Sequence, residues 1–167
     1  MNVNGRIWLF GDDVNTDLII PGRYLDNYDP SHLAAHAMEG ANKEFASKVS
    51  PGDIVIAGRN FGCGSSREQA VTALKQSGVS AVIARSFARI FYRNAINLGL
   101  YVLECDDADS VFSDGETAML DIDAHTMCSD DGSRRVNLTE IPNHAKKIID
   151  SGGLIPHLKS QIGKRDH

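Results

Sequence analysis

The 167-residue chain predicts a single mixed α/β domain on three observations. As far as Glu104, short apolar runs alternate with stretches of helical composition. One of the strand-to-helix junctions is unusually rich in glycine. Beyond Glu104 the pattern changes to short runs separated by turn residues, the mark of a small β-meander.

Taken in order, strands are expected near Arg6–Phe10, Asp53–Ala57, Ala81–Ala84 and Tyr101–Glu104, because each run is apolar and too short for a stable helix. Helices are expected near Pro30–Met38, Arg67–Ser77 and Phe87–Leu98. The meander falls on Glu116–Ile122, Ala124–Met127 and Arg134–Leu138, with a turn at Asp130-Asp131-Gly132. A last helix, Pro142–Ser151, stops at Gly152-Gly153, where a left-handed residue ends a helix at no steric cost. There is no internal repeat, low-complexity segment or linker, so residues 1–167 are read as one domain.

Composition narrows the function. With 42% hydrophobic residues the chain can bury a real core without a second domain. The net charge is −5 and the basic residues are scattered, which argues against a nucleic-acid partner. No apolar run approaches the length of a membrane span, and Met1–Arg6 lacks the apolar core of a secretion signal, so a cytoplasmic protein is expected. Cys63, Cys105 and Cys128 are odd in number and far apart, which points to reduced thiols rather than disulfides or a closed zinc site. The six histidines, His32, His36, His125, His144, His157 and His167, show no metal-ligand spacing.

The chemistry concentrates in Gly58-Arg-Asn-Phe-Gly-Cys-Gly-Ser-Ser-Arg67. Gly58, Gly62 and Gly64 free the backbone for tight turns and close approach to a ligand. Ser65 and Ser66 fall where a helix cap is expected, so that free N–H groups and the positive end of a helix face the turn. Arg67 adds a planar fork suited to a carboxylate. The spacing matches neither a P-loop, since no Lys follows the glycines, nor a dinucleotide fingerprint, since Arg67 stands at the third glycine position. On local composition alone, an anion-binding turn and an ordinary glycine-rich turn with a serine cap are equally good readings.

Downstream, Ala81-Val-Ile-Ala-Arg-Ser-Phe-Ala-Arg-Ile-Phe-Tyr-Arg-Asn94 adds a second long motif. Together with Gly64-Ser-Ser-Arg-Glu68 it resembles the swivelling domain of the aconitase superfamily. Asp12-Asp-Val-Asn-Thr-Asp17 and Ile19-Ile-Pro-Gly-Arg-Tyr-Leu25 narrow the likeness to the separate small subunits of 3-isopropylmalate dehydratase and homoaconitase. The resemblance runs from about Gly5 to Leu158 and includes the ending Gly152-Gly-Leu-Ile-Pro156.

The resemblance implies a three-layer β/β/α swivelling domain and removal and re-addition of water on a hydroxy diacid. It also implies a large partner subunit carrying a 4Fe-4S cluster, with no cofactor or metal on this chain. By motif position, Ser65 resembles the general base, while Ser66 and Arg67 resemble carboxylate binders. Arg23 resembles a second substrate-binding arginine. Asp17 matches the aspartate of the family's Thr-Asp-His segment, with Leu18 in place of histidine, and a turn or cap role for it stays open. Leu25, Asp26, Asn27 and Tyr28 occupy the segment that selects the substrate's side group. Asp26 disfavours the extra carboxylate of homoaconitate, and family frequency then favours 2-isopropylmalate, a branched dicarboxylate of leucine biosynthesis, although the segment has no apolar wall unless Leu25 or Tyr28 turns inward; dimethylmalate and citramalate remain alternatives. A dicarboxylate-binding or regulatory module is the non-enzyme alternative. Of the repeating arginines Arg85, Arg89 and Arg93, Arg89 is expected to brace the glycine turn, and Cys63 is read as a packing residue rather than a nucleophile.

Overall fold

The computed structural model describes residues 2–165. In chain order the elements are β1 (Asn2–Leu9), α1 (Thr16–Ile19), a 3-10 turn (Gly22–Tyr24), α2 (Pro30–Ala35) and α3 (Phe45–Lys48), then β2 (Ile54–Ala57), α4 (Glu68–Gln76), β3 (Ala81–Ala84), α5 (Arg89–Leu98) and β4 (Tyr101–Glu104). They continue with α6 (Ala108–Val111), β5 (Thr117–Asp121), β6 (Thr126–Ser129), β7 (Arg135–Asn137), α7 (Asn143–Asp150) and α8 (Leu154–Arg165).

The strands join in the order β4-β3-β2-β1-β5-β6-β7, parallel from β4 to β1 and antiparallel from β1 to β7. β1 is the shared strand. Its Ile7–Leu9 segment pairs with β2, and its Asn2–Arg6 segment pairs with β5. That second pairing is why the strand begins at Asn2 rather than at Arg6, where hydrophobicity starts.

The β/β/α layering follows from alternation along the parallel strands. Val55 and Val82 face one core with Ile19, Leu33, Val71, Leu74 and Phe91 of the helical layer. Ile54, Ile56 and Ile83 point the other way and pack against Ala118, Leu120, Met127 and Val136 of the antiparallel half, with Phe112 and Ile149 closing that core. Every residue of β2 and β3 is therefore buried, which explains their uninterrupted apolar sequences. The buried carboxylate of Asp53 is matched to donors: it accepts from Trp8 Nε1 at 3.0 Å and from the Ser50 and Arg6 N–H groups.

Several boundaries differ from expectation. α2 ends at Ala35, short of Met38, because Met38 takes a left-handed φ of 59° to turn the chain. β6 lies at Thr126–Ser129 rather than Ala124–Met127, since residues 122–125 form the turn and His125 has φ 56°. α5 starts at Arg89 because Phe87 is held extended in a bridge to Phe61. The one-turn helices α1, α3 and α6 lack the length for a periodic signal. α8 was masked by the Gly152-Gly153 stop, after which a new helix begins with Pro156 in its first turn, where a missing N–H does no harm.

Candidate active site

The glycine turn follows β2 and is laced to two neighbouring segments. On one side the Arg59 N–H donates to Asp12 at 2.7 Å, Gly62 N–H to Val14 O at 2.8 Å, and Thr16 N–H to Cys63 O at 2.9 Å. On the other, Asn60 N–H donates to Ser86 Oγ at 2.8 Å, Phe61 N–H to Ser86 O, and Ala88 N–H back to Phe61 O. The turn thus hangs between the segment after β1 and the segment before α5, the two stretches that carry the other sequence motifs. Gly62 has φ 84° and sits on Phe91, whose ring would collide with any Cβ there; Gly64 has φ 98°.

The helix cap is not where the sequence suggested. Arg67 is the N-cap of α4, without a side-chain capping bond, and Ser65 and Ser66 precede the helix as exposed residues of the turn. The serines are therefore not engaged in capping. Among the described residues, the N–H groups of Gly64, Ser65, Ser66 and Arg67 have no protein acceptor. Four successive unpaired donors make a cradle for an anion.

A cleft of about 780 Å³ opens on this cradle. Thr16, Gly64, Ser65, Ser66 and Arg67 line one part, and Phe87, Arg89, Ile90, Arg93 and Asn94 another. Arg67 is oriented rather than free: its Nη1 donates to Asp17 Oδ1 at 3.2 Å and to Ile20 O at 3.1 Å. Asp17 also accepts the Gly22 N–H at 3.0 Å, and the hydrogen bonds from Arg67 first, then Gly22, hold its carboxyl below the usual range. Asp17 does not line the cleft; it reaches the cleft through Arg67.

Arg23 does not line this cleft. Its Nη2 donates to Glu39 at 3.0 Å, and its guanidinium lies 4.7 Å from the centre of the Tyr24 ring. The same carboxylate accepts the Tyr24 hydroxyl at 2.7 Å and contacts His36 Nδ1 at 2.6 Å, and these bonds, Tyr24 first, keep Glu39 below the usual carboxylate range. Of the Leu25–Tyr28 segment, Leu25 packs towards the helical core, and Asp26 and Asn27 are exposed. Tyr28, 72% exposed, lines a second cleft of about 410 Å³ with Leu33, Ser66 and Glu68.

Arg89 does not brace the turn. It is exposed in the cleft and makes no hydrogen bond or ion pair among the described residues, and the bracing comes from Phe91 instead. Arg85 is structural, its Nε placed 2.9 Å from both oxygens of Asp109. Cys63 sits half-buried beside the turn, whereas Cys105 is buried at the end of β4 and Cys128 lies on β6. Among the described residues no group of three His, Cys, Asp or Glu is arranged to hold a metal ion. His167 lies outside the described residues.

Residues 12–108 match the Aconitase C-terminal domain model, a span that contains the glycine turn, both laced segments and the cleft. The chain belongs to the aconitase C-terminal domain family. Within the family it is 48% identical over 159 residues to 3-isopropylmalate dehydratase small subunit 1 of Methanopyrus kandleri, covering 95% of this chain and 94% of that one. It is 51% identical to the methanogen homoaconitase small subunit of Methanothermobacter thermautotrophicus, covering 96% and 92%. The crystal structure of a 3-isopropylmalate dehydratase from Methanocaldococcus jannaschii superposes with a TM-score of 0.93 at 44% identity and covers 100% of both chains. The β/β/α fold of this family member is thus the one that the motifs implied.

Sequence reasoning missed two contributors to the site. Thr16 was quoted only as part of a motif, yet it is buried and donates its hydroxyl to Ser65 O at 3.0 Å. Phe91 was read as a helix residue, and only its spatial position under Gly62 shows its use. Thr16 sits among polar residues, between Asn15 and Asp17, so neither residue carried a signal of its own in the sequence.

Proposed function

We propose that this chain is the small subunit of a two-chain aconitase-type hydro-lyase that interconverts 2- and 3-isopropylmalate through isopropylmaleate, in leucine biosynthesis. The observation that carries the proposal is the cradle: Ser65, four residues with unpaired N–H groups and an oriented Arg67 line one cleft. The names of the relatives, small subunits of 3-isopropylmalate dehydratase and of homoaconitase, agree with it.

In this reading Ser65 Oγ takes the proton from the carbon beside a substrate carboxylate and returns it when water is re-added. A serine hydroxyl is a poor base unless its oxyanion is stabilised, and in this reading the neighbouring N–H groups and the positive end of α4 supply that stabilisation. Ser66 and the donors of Arg67 not used by Asp17 and Ile20 hold a carboxylate. Asp17 serves as the brace of Arg67. The departing hydroxyl needs a Lewis acid, which we assign to a 4Fe-4S cluster in the large subunit; this chain supplies no ligand to it. Because Ser65 and Ser66 are exposed in the lone chain, the partner must cover them before chemistry can exclude water.

The specificity segment supports a branched apolar side group. Tyr28 presents its ring to the cleft that Ser66 also lines, and Asp26 would repel a further carboxylate. Arg23 is anchored to Glu39 through Nη2 and offers its remaining donors to a substrate carboxylate. Dimethylmalate, citramalate and homoaconitate define the alternative substrates. We also read the chain as one swivelling domain acting in the cytoplasm, without a nucleic-acid or membrane partner; no helix among the described residues is long and apolar enough to cross a membrane.

The test is anaerobic turnover of 2-isopropylmalate, dimethylmalate, citramalate and homocitrate, with and without the cluster-bearing large subunit, following absorbance of the unsaturated product. Activity with 2-isopropylmalate that requires both chains is the expected result. Failure of every acid, with a formed complex and an intact cluster, would favour a binding or regulatory module.

A further inference from the structure

We propose that Thr16 is a positioning residue for Ser65, acting through the backbone of the glycine turn; the proposal rests on the reading of Ser65 as the base. Thr16 is 3% exposed and stands at the first position of α1, where Asn15 caps the helix by accepting the Leu18 N–H. It makes two bonds to the turn. Its N–H donates to Cys63 O at 2.9 Å, and its hydroxyl donates to Ser65 O at 3.0 Å.

These bonds straddle Gly64, the most permissive link of the segment, whose φ is 98°. With no Cβ at Gly64, the peptide that carries Ser65 could rotate freely unless something beyond it is held. The side chains of Ser65 and Ser66 are exposed and hold nothing. Among the described residues, the Thr16 hydroxyl is the only side chain bonded to the backbone of Cys63–Ser66. Asp17, the next residue, holds Arg67. Two consecutive residues of α1 therefore fix both ends of Ser65–Arg67, and the spacing between base and carboxylate binder is set by one short helix.

A reacting group displaced by about 1 Å can lose roughly 100-fold in rate. In the reconstituted complex with the large subunit, Thr16→Val keeps the shape but removes the donor. The expected result is a fall in kcat of roughly 10- to 100-fold with KM nearly unchanged, and recovery in Thr16→Ser, which restores the hydroxyl. In the isolated subunit, backbone 15N order parameters at Ser65 and Ser66 should fall in Thr16→Val while the melting temperature holds. Thr16→Ala replaces Thr16→Val if the valine variant does not fold. Full kcat without the hydroxyl, or no recovery in Thr16→Ser, overturns the proposal. Ser65→Ala separates the two assignments: if it keeps turnover, the base reading falls and Thr16 falls with it. If Ser65→Ala is inactive while Thr16→Val is fully active, only the positioning role is lost.

Discussion

Ser65 gains its assignment from what surrounds it rather than from its own chemistry. It is exposed, bonded to nothing through its side chain, and next to a run of unpaired N–H donors. Replacing Ser65 by Ala should lower kcat by roughly 100- to 10,000-fold, the range for loss of a general base, and leave folding and association with the large subunit intact. Arg67→Lys keeps the charge but loses the planar fork and the geometry of the Asp17 contact. Its signature is a KM raised roughly 10-fold or more, measured as initial rates over a wide substrate range. Asp17→Asn retains an acceptor oxygen but no charge, so a several-fold rise in KM is expected, smaller than that of Arg67→Lys. An Asp17→Asn enzyme with unchanged KM and a collapsed kcat would instead give Asp17 a direct catalytic part. At this scale the sequence marked which residues to test, because the motif names them, but was uninformative about how they are held.

The glycine turn depends on elements remote in sequence. Gly62 lies on the Phe91 ring of α5, so Gly62→Ala meets both a collision and an unfavourable left-handed φ. A loss of roughly 3 kcal/mol or more is expected by urea unfolding, with activity falling in step. β4 and α7 are joined by the Tyr101 hydroxyl, which donates to Asp150. Burial, then the hydrogen bond to Asp150, pushes the Tyr101 phenol well above its ordinary value. The unfolded phenol ionises near pH 10 while the folded one keeps its proton. The unfolded state thus binds fewer protons from about pH 10 upwards, and stability declines with rising pH. Tyr101→Phe should flatten this alkaline limb in thermal melts recorded from pH 8 to 11. Element identity was legible where burial fixed it: β3 and β4 have the limits that their apolar runs indicated. It was not legible for the one-turn helices α1, α3 and α6, since four residues carry no period. Nor did hydrophobicity mark the first half of β1, whose place is set by pairing with β5.

As a whole molecule, the chain presents its glycine turn outwards. Arg89, Arg93 and the half-exposed Ile90 line the same cleft as Ser65, and the two arginines have no partner among the described residues. The isolated chain is therefore expected to show no turnover of 2-isopropylmalate, and activity should appear on titration with the large subunit, reaching a plateau at a fixed ratio of the two chains. The sequence by itself determined the fold class, the family and the residues of the turn. Apolar runs, glycine positions and long motifs are local properties that survive without coordinates. Tertiary structure alone decided that the serines precede the α4 cap, that Arg23 donates to Glu39, and that Arg67 donates to Asp17. It also decided that Thr16 bonds the backbone of Ser65. Each of these rests on a contact between segments far apart in the chain or on the exact winding of one turn, and neither leaves a period or a composition that a linear reading can detect.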